Sequence, residues 1–220
     1  MTIIENEFCL PEFLREWAEE KGIRILRNVD ICSVEDDHVV EYSDESTPEY
    51  LNMLYCHSAG IPAVIGETER LIIREISMDD IESFGELLKE NPLFLRDSSL
   101  AELRDDEFRI RHEAYIKYSY HFLGYGLWGL FLKQDEQEKE LTGIAGIDGQ
   151  DTPELSYALF EKYRGRGLAH EACRFVLKFV HDVLGVERVG LFIDSTNTRS
   201  LNLAEKLRTE FDYLDFHVIQ

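Results

Sequence analysis

The sequence predicts a mixed-sheet α/β domain with flanking helices over residues 67–220, preceded by a small N-terminal α/β extension over residues 1–66. Three observations predict it. Short apolar runs bounded by turn residues alternate with segments whose apolar positions recur at helical spacing. Two such runs flank the charged turn Gln134–Lys139, as in an antiparallel hairpin. The pattern also breaks at Ile61-Pro62-Ala63-Val64-Ile65-Gly66, where one set of elements ends and another begins.

In the extension, residues 11–21 (PEFLREWAEEK) carry Phe13, Leu14, Trp17 and Ala18 at helical spacing, with Gly22 as a stop. Ile23–Leu26 and Val39–Tyr42 read as short strands and Glu49–Ser58 as a helix. The clusters Asp36-Asp37 and Asp44-Glu45-Ser46 read as solvated turns. In the main domain Leu71–Ile76 reads as a strand, and Asp79 or Asp80 opens a helix through about Lys89. An aromatic-rich helical stretch covers residues 99–120. Gly124–Lys133 and Glu140–Asp148 are the hairpin strands, and Glu154–Phe160 (ELSYALF) is the next strand. Leu168, Ala172, Phe175, Val176, Phe179, Val180 and Val183 mark one helical face ending near Gly185. Arg188–Ile193 is a strand, Ser200–Leu207 a short helix and Phe211–Ile219 a final strand.

Hydrophobic residues at 44% and charged residues at 30% describe a soluble globular chain able to bury a core, not a disordered one. No apolar run approaches the ~20 residues of a membrane span, and residues 1–13 lack the basic and long apolar regions of a signal peptide. The expectation is a cytoplasmic protein with no membrane partner. Cys9, Cys32, Cys56 and Cys173 form no CxxC pair, which argues against a zinc site and a disulfide framework and reads as buried free thiols. The net charge of −21 repels phosphate backbones and makes nucleic acid a poor partner. It attracts cations such as polyamines, aminoglycosides and basic peptides, although the same surplus also serves solubility alone.

Against that charge, residues 163–172 (YRGRGLAHEA) set two arginines and two glycines before a helix. A helix N-terminus leaves N–H groups unpaired, glycines bare the backbone, and arginines add directed donors, which together make an anion cradle. A P-loop needs Lys-Ser or Lys-Thr after Gly167, which is absent. A dinucleotide fingerprint needs glycine where His170 stands, within repeated parallel βαβ units. The pyrophosphate of coenzyme A is the third candidate.

Arg164-Gly165-Arg166-Gly167-Leu168-Ala169 matches the Q/R-x-x-G-x-G/A acyl-CoA signature of the GNAT N-acetyltransferase superfamily, a weak motif by itself. Thr68–Arg74 resembles the T-E-R-L-x-x-R opening of the branch related to ribosomal-protein N-terminal acetyltransferases. Glu154–Leu159 resembles that branch's fourth strand, Glu171-Ala172 its helix start, and Asn197–Ser200 its N-x-x-S segment. These segments stand in the expected order across residues 68–207. The resemblance implies a largely antiparallel central sheet and acetyl-CoA as cosubstrate. Two departures stand out. The usual E-K-L-G-F continuation is Glu205-Lys206-Leu207-Arg208 here, so a rearranged C-terminal hairpin is expected, and Leu203 stands where many members place a tyrosine acid.

The resemblance also implies roles. Backbone groups near Leu159 and Phe160 hold the pantetheine arm and the thioester oxygen. Gly165, Arg166, Gly167, Leu168 and Ala169 hold pyrophosphate through main-chain N–H groups, assisted by the charges of Arg164 and Arg166. Asn197 bonds the pantetheine arm, and Ser200 donates toward the leaving thiolate. Glu154 is the first choice of base, acting through water or with a pKa raised by burial. His170 has a suitable pKa but sits beside the phosphates. Trp128, Tyr115, Tyr118, Tyr120, Phe122 and Tyr125 are candidates for an acceptor pocket, with core packing the commoner role for such residues. The expected reaction is direct acetyl transfer to a primary amine of a cationic small molecule or a peptide N-terminus. A homodimer is compatible with this reading. The alternative is a non-catalytic acetyl-CoA sensor using residues 1–66 as a partner surface, favoured by the two departures and opposed by Asn197 and Ser200.

Overall fold

The computed structural model describes residues 1–30, 32, 34–35, 38–43, 46–92, 105–133, 140–149 and 152–219. The acidic clusters at 36–37 and 44–45, the first part of the 99–120 stretch and the 134–139 turn lie outside them. The chain forms two compact units, Met1–Ile65 and Gly66–Gln220.

The first unit contains β1 (Thr2–Glu5), α1 (Glu12–Glu20), β2 (Arg24–Arg27), β3 (Val39–Glu41) and α2 (Pro48–Ala59). Its sheet has the order β2-β1-β3 with both pairings parallel. The sequence pattern missed β1, the central strand. All four of its residues are buried, so it shows no alternation, and its last residue is a glutamate. Ile3, Leu10, Leu14, Ala18, Ile23 and Leu51 form the core. Thr47 caps α2 by accepting from the Tyr50 N–H at 3.1 Å, and Gly60 ends it in the left-handed region.

Glu5 is buried in this unit and stays charged because donors surround it. Leu10 N–H donates to Oε1 at 2.6 Å, Arg27 Nε to Oε2 at 2.6 Å, and Arg15 Nη2 completes the set. Burial pushes its pKa up, but the Arg27, Leu10 and Arg15 hydrogen bonds outweigh that and hold it below 4.5.

The second unit holds β5 (Leu71–Arg74), α3 (Ile81–Glu90), α4 (Asp105–Tyr115), β6 (Leu127–Leu132), β7 (Leu141–Asp148), β8 (Glu154–Leu159), α5 (Leu168–Asp182), β9 (Val189–Asp194), α6 (Thr198–Glu210) and β10 (Leu214–Ile219), with β4 (Val64–Glu67) running in from the boundary. Among the described residues the sheet has seven strands in the order β10-β9-β8-β7-β6-β5-β4. Strands β5 to β8 pair antiparallel, whereas β8 with β9 and β9 with β10 pair parallel. The C-terminus is therefore a βαβ unit with α6 as its crossover. With no glycine after Leu207, α6 continues to Glu210 and the chain turns at extended Phe211.

Arg74 pins the start of α3. Its guanidinium lies 3.8 Å from the centre of the Phe131 ring and forks onto Asp80, both bonds being 2.8 Å, while Asp80 closes a capping box with Ser77. Helix α4 passes into a π-helical segment, Ile116–Leu123, that ends at left-handed Gly124. Trp128 is fully buried and meets Phe179 of α5 edge-on at 5.5 Å. Val183, expected on the apolar face of α5, is the exposed C-cap instead. Cys173 is buried, but Cys9 and Cys32 are exposed and Cys56 is intermediate, contrary to the expectation of four buried thiols.

The Glu5 network makes a prediction. Its folded pKa lies below its unfolded value, so its stabilisation is present above about pH 4.5 and is lost as pH falls through the folded value. Glu5→Ala should destabilise the first unit by about 1–3 kcal/mol at neutral pH. Hydrogen exchange at the β1 amides checks this, and the difference from wild type should shrink in acid.

Candidate active site

β8 and β9 share one registered pair, Glu154 with Gly190, where Gly190 N–H donates to the Pro153 carbonyl at 2.8 Å. Beyond it the strands part, and a cleft of about 1700 Å³ is lined by both. Phe160 N–H donates to Thr142 O at 3.1 Å, so even-numbered β8 residues bond to β7. By ladder alternation, the N–H and C=O groups of Tyr157 and Leu159 turn toward the cleft. This corrects the expectation for Phe160, whose N–H is spent inside the sheet and whose side chain is buried. The Leu159 carbonyl is occupied as well, accepting from Arg164 Nε at 3.0 Å and Asn91 Nδ2 at 3.3 Å.

The chain leaves β8 through a short 3₁₀ turn, Glu161–Tyr163, and enters α5 through Gly165 and Gly167, with φ of 75° and 79°. A side chain in this region costs about 1–2 kcal/mol. At Gly165 an added Cβ would meet nothing within 4 Å, so the dihedral alone calls for glycine. Gly167 is the N-cap and supplies no capping side chain. Glu171 N–H is the first to find a helical carbonyl, that of Gly167 at 3.1 Å. The first-turn N–H groups of Leu168, Ala169 and His170 therefore point outward, and Gly165, Gly167, Leu168 and Ala169 all line the cleft. Bare glycine backbone before a helix N-terminus fits the pyrophosphate of coenzyme A.

Glu171 anchors this turn to the β4–β5 hairpin. It accepts from Thr68 Oγ1 at 2.5 Å, Arg70 N–H at 2.9 Å and Arg70 Nε at 2.7 Å, while Arg70 Nη1 donates to the Arg166 carbonyl at 2.8 Å. Burial pushes the Glu171 pKa up, but the Thr68 and Arg70 hydrogen bonds bring it below 4.5. Sequence reading noted Thr68 and Arg70 only as a resemblance; their partner stands 101 residues from Arg70.

The two arginines of the turn differ. Arg164 lines the cleft, but Nε and Nη2 brace the turn, with Nη2 donating to Asn91 Oδ1 at 2.9 Å and to Glu90 O at 3.4 Å. Arg166 is exposed and lies over the Tyr163 ring, 5.5 Å from its centre, outside the cleft lining. Arg199 and Lys206 join the lining from α6. Helical spacing from Leu203, three residues earlier, could have found Lys206, but not which face of α6 meets the cleft.

Asn197 and Ser200 line the cleft together, with Asn197 as the N-cap of α6 accepting from Ser200 N–H at 3.1 Å. That bond fixes the amide orientation and leaves Nδ2 as a donor. Glu154 stands at the opposite end of β8 from the glycine turn. A Cβ on Gly149 would come within 3.3 Å of its Cγ, and one on Gly190 within 3.5 Å, so its stem lies over bare backbone. Asp148 faces it in register across β7 and also lines the cleft. Sequence reading missed Asp148; the hairpin register was the signal that could have found it.

Of the candidate aromatics, Tyr115 and Tyr118 line the cleft, joined by Phe84, Phe108 and His112. Trp128 and Tyr120 are core residues, Phe122 is exposed against Tyr118, and Tyr125 lies outside the lining. His112 Nε2 donates to Ile76 O at 3.0 Å, and burial lowers its pKa, so the ring is neutral with Nδ1 as acceptor. His170 Nε2 pairs with Glu210 at 2.8 Å and joins α5 to α6.

Replacing Glu171 by Ala should loosen the turn and weaken coenzyme A binding on the order of tenfold, or about 1.4 kcal/mol. The folded pKa of Glu171 lies below its ordinary value, so the anchor is present above about pH 4.5 and is lost as pH falls through the folded value. Calorimetric titration with coenzyme A across pH 4–7 checks both statements.

Residues 70–210 match the model of the acetyltransferase (GNAT) domain. Among solved structures, a GNAT-family acetyltransferase from Bordetella pertussis is 27% identical with a TM-score of 0.51, over 64% of this chain and 85% of that one. RimL, the ribosomal L7/L12 α-N-protein acetyltransferase, in complex with coenzyme A, is 16% identical with a TM-score of 0.53, over 65% and 81%. The spermidine/spermine N-acetyltransferase SpeG from Vibrio cholerae is 16% identical with a TM-score of 0.52, over 63% and 78%. The last two share the fold. Because the family match runs from Arg70 through the glycine turn to Glu210, the chain belongs to the GNAT family of acetyltransferases and is an acyltransferase that takes its acetyl group from acetyl-CoA.

Proposed function

We propose that this acyltransferase acetylates a primary amine that reaches it as a cation, by direct attack while both substrates occupy the cleft. The observation that carries this reading is the arrangement of one continuous cleft, with an anion cradle at α5 and the Asp148–Glu154 carboxylates where β8 begins. Acetyl-CoA supplies the acetyl group as a thioester. The N–H groups from Gly165 to Ala169 hold its pyrophosphate, with Arg164 Nη1 and the mobile reach of the exposed Arg166 adding charge. Asn197 Nδ2 and the open N–H groups of Tyr157 and Leu159 hold and orient the pantetheine arm and the carbonyl oxygen.

Asp148 and Glu154 attract the ammonium form of the acceptor, within a chain of net charge −21. Glu154 takes the proton through water, which frees the nitrogen lone pair. Ser200 O–H donates to the leaving sulfur. Polyamines and peptide N-termini both present such an amine; SpeG is a spermidine/spermine acetyltransferase and RimL an α-N-protein acetyltransferase. The exposed free thiols Cys9 and Cys32 support a reducing, cytoplasmic setting.

Thiol release from acetyl-CoA with a panel of polyamines, aminoglycosides and basic peptides tests the reaction. Tight coenzyme A binding with no release for any acceptor would overturn it. Glu154→Gln should lower kcat about a hundredfold with coenzyme A affinity unchanged, and full activity would remove Glu154 from the mechanism. Arg164→Ala and Arg166→Ala should each weaken coenzyme A binding, the first more because it also unbraces the turn. Stopped-flow binding separates the two.

A further inference from the structure

Tyr157 Oη is the one buried side-chain oxygen among the described residues that makes no hydrogen bond. An unpaired buried hydroxyl is costly and calls for an explanation, and in a cleft wall a group that turns to meet it during function supplies one. Tyr157 projects from the face of β8 opposite Glu154 and lines the cleft together with Ser200. Ser200 and Cys173 both act on its hydroxyl, which puts Ser200 close to hydrogen-bonding reach although no bond of ordinary geometry is made. Burial pushes both the Cys173 thiol and the Tyr157 phenol up, so both stay protonated and Tyr157 is a donor. Ser200 N–H is held by Asn197 Oδ1, which fixes the backbone below Oγ but leaves the hydroxyl free to rotate. One turn along α6, Leu203 also lines the cleft and offers no donor.

We infer that Tyr157 is a positioning residue for acetyl transfer, donating Oη–H to Ser200 Oγ and so turning the Ser200 O–H toward the sulfur of coenzyme A. This rests on the proposed reading in which Ser200 donates to the leaving sulfur. As the C–S bond breaks, its electron pair goes to sulfur and Ser200 gives that sulfur its proton. The Tyr157 hydrogen bond stabilises the charge left on Oγ, and solvent restores the proton when the product leaves. The amine proton departs separately, through Glu154 and water.

Tyr157→Phe keeps the ring and removes only the hydroxyl. Calorimetry with coenzyme A and with desulfo-coenzyme A reads the contact to sulfur without turnover. Wild type should bind coenzyme A about tenfold tighter than the desulfo analogue, and Tyr157→Phe should cut that ratio to about threefold or less. In turnover, Tyr157→Phe should lower kcat about tenfold at unchanged KM for acetyl-CoA, and should add nothing in a Ser200→Ala background. An unchanged binding ratio in Tyr157→Phe, or a loss of kcat that adds to that of Ser200→Ala, overturns the inference while the acetyl-CoA reading stands. Equal binding of both ligands by wild type overturns it together with the role of Ser200. Binding of neither overturns the acetyl-CoA reading as well.

Discussion

The Glu171 carboxylate, in the first turn of α5, accepts from Thr68 Oγ1 and from two donors of Arg70, whose remaining reach goes to the Arg166 carbonyl. The shape of the turn before α5 depends on this knot. A helix N-terminus offers its N–H groups only while the turn before it holds its shape, and here that turn contains two glycines in the left-handed region. Glycine permits the conformation without enforcing it. The enforcement comes from these three residues, which a long stretch of chain separates, together with the brace that Arg164 makes to Leu159 and Asn91. The carboxylate also compensates the helix dipole at the end where negative charge is favourable.

The parting of β8 from β9 is the second constraint. Two parallel strands that paired along their full length would bury their polar edges against each other, and no ligand could reach Tyr157 or Leu159. With one pair, at Glu154 and Gly190, the sheet stays connected while the open edge becomes the wall of a cleft. Parallel β9 and β10 then require a crossover, and α6 supplies it on the side that carries Asn197 and Ser200 into that wall. The missing glycine after Leu207 thus lengthens α6 and leaves the site side of that helix intact.

Elements with a clear period were legible from residues alone. The α5 face, the β6–β7 hairpin and the helix at Glu12–Glu20 needed no tertiary information. β1 was not legible, because a strand buried on both faces shows no alternation and because its Glu5 looks like a surface residue until Arg15 and Arg27 are seen around it. Trp128 and Tyr120 were misleading for a related reason. An aromatic run has the same composition whether it lines a pocket or fills a core, and packing against Phe179 decides the case of Trp128.

The sequence by itself determined the glycine turn before α5, since permissive dihedrals and the unpaired N–H groups of a helix start are local properties of residues 165–170. It also determined the order of strands and helices from β5 onward, which follows from periodicity. Only the tertiary structure decided that Arg164 braces the turn, that the Phe160 N–H is consumed by Thr142, that Asp148 stands across from Glu154, and that the Tyr157 hydroxyl is buried without a bond. Each of these is a question of which partner a polar group finds. Those partners lie on other strands and helices, so register and packing fix them where spacing along the chain cannot.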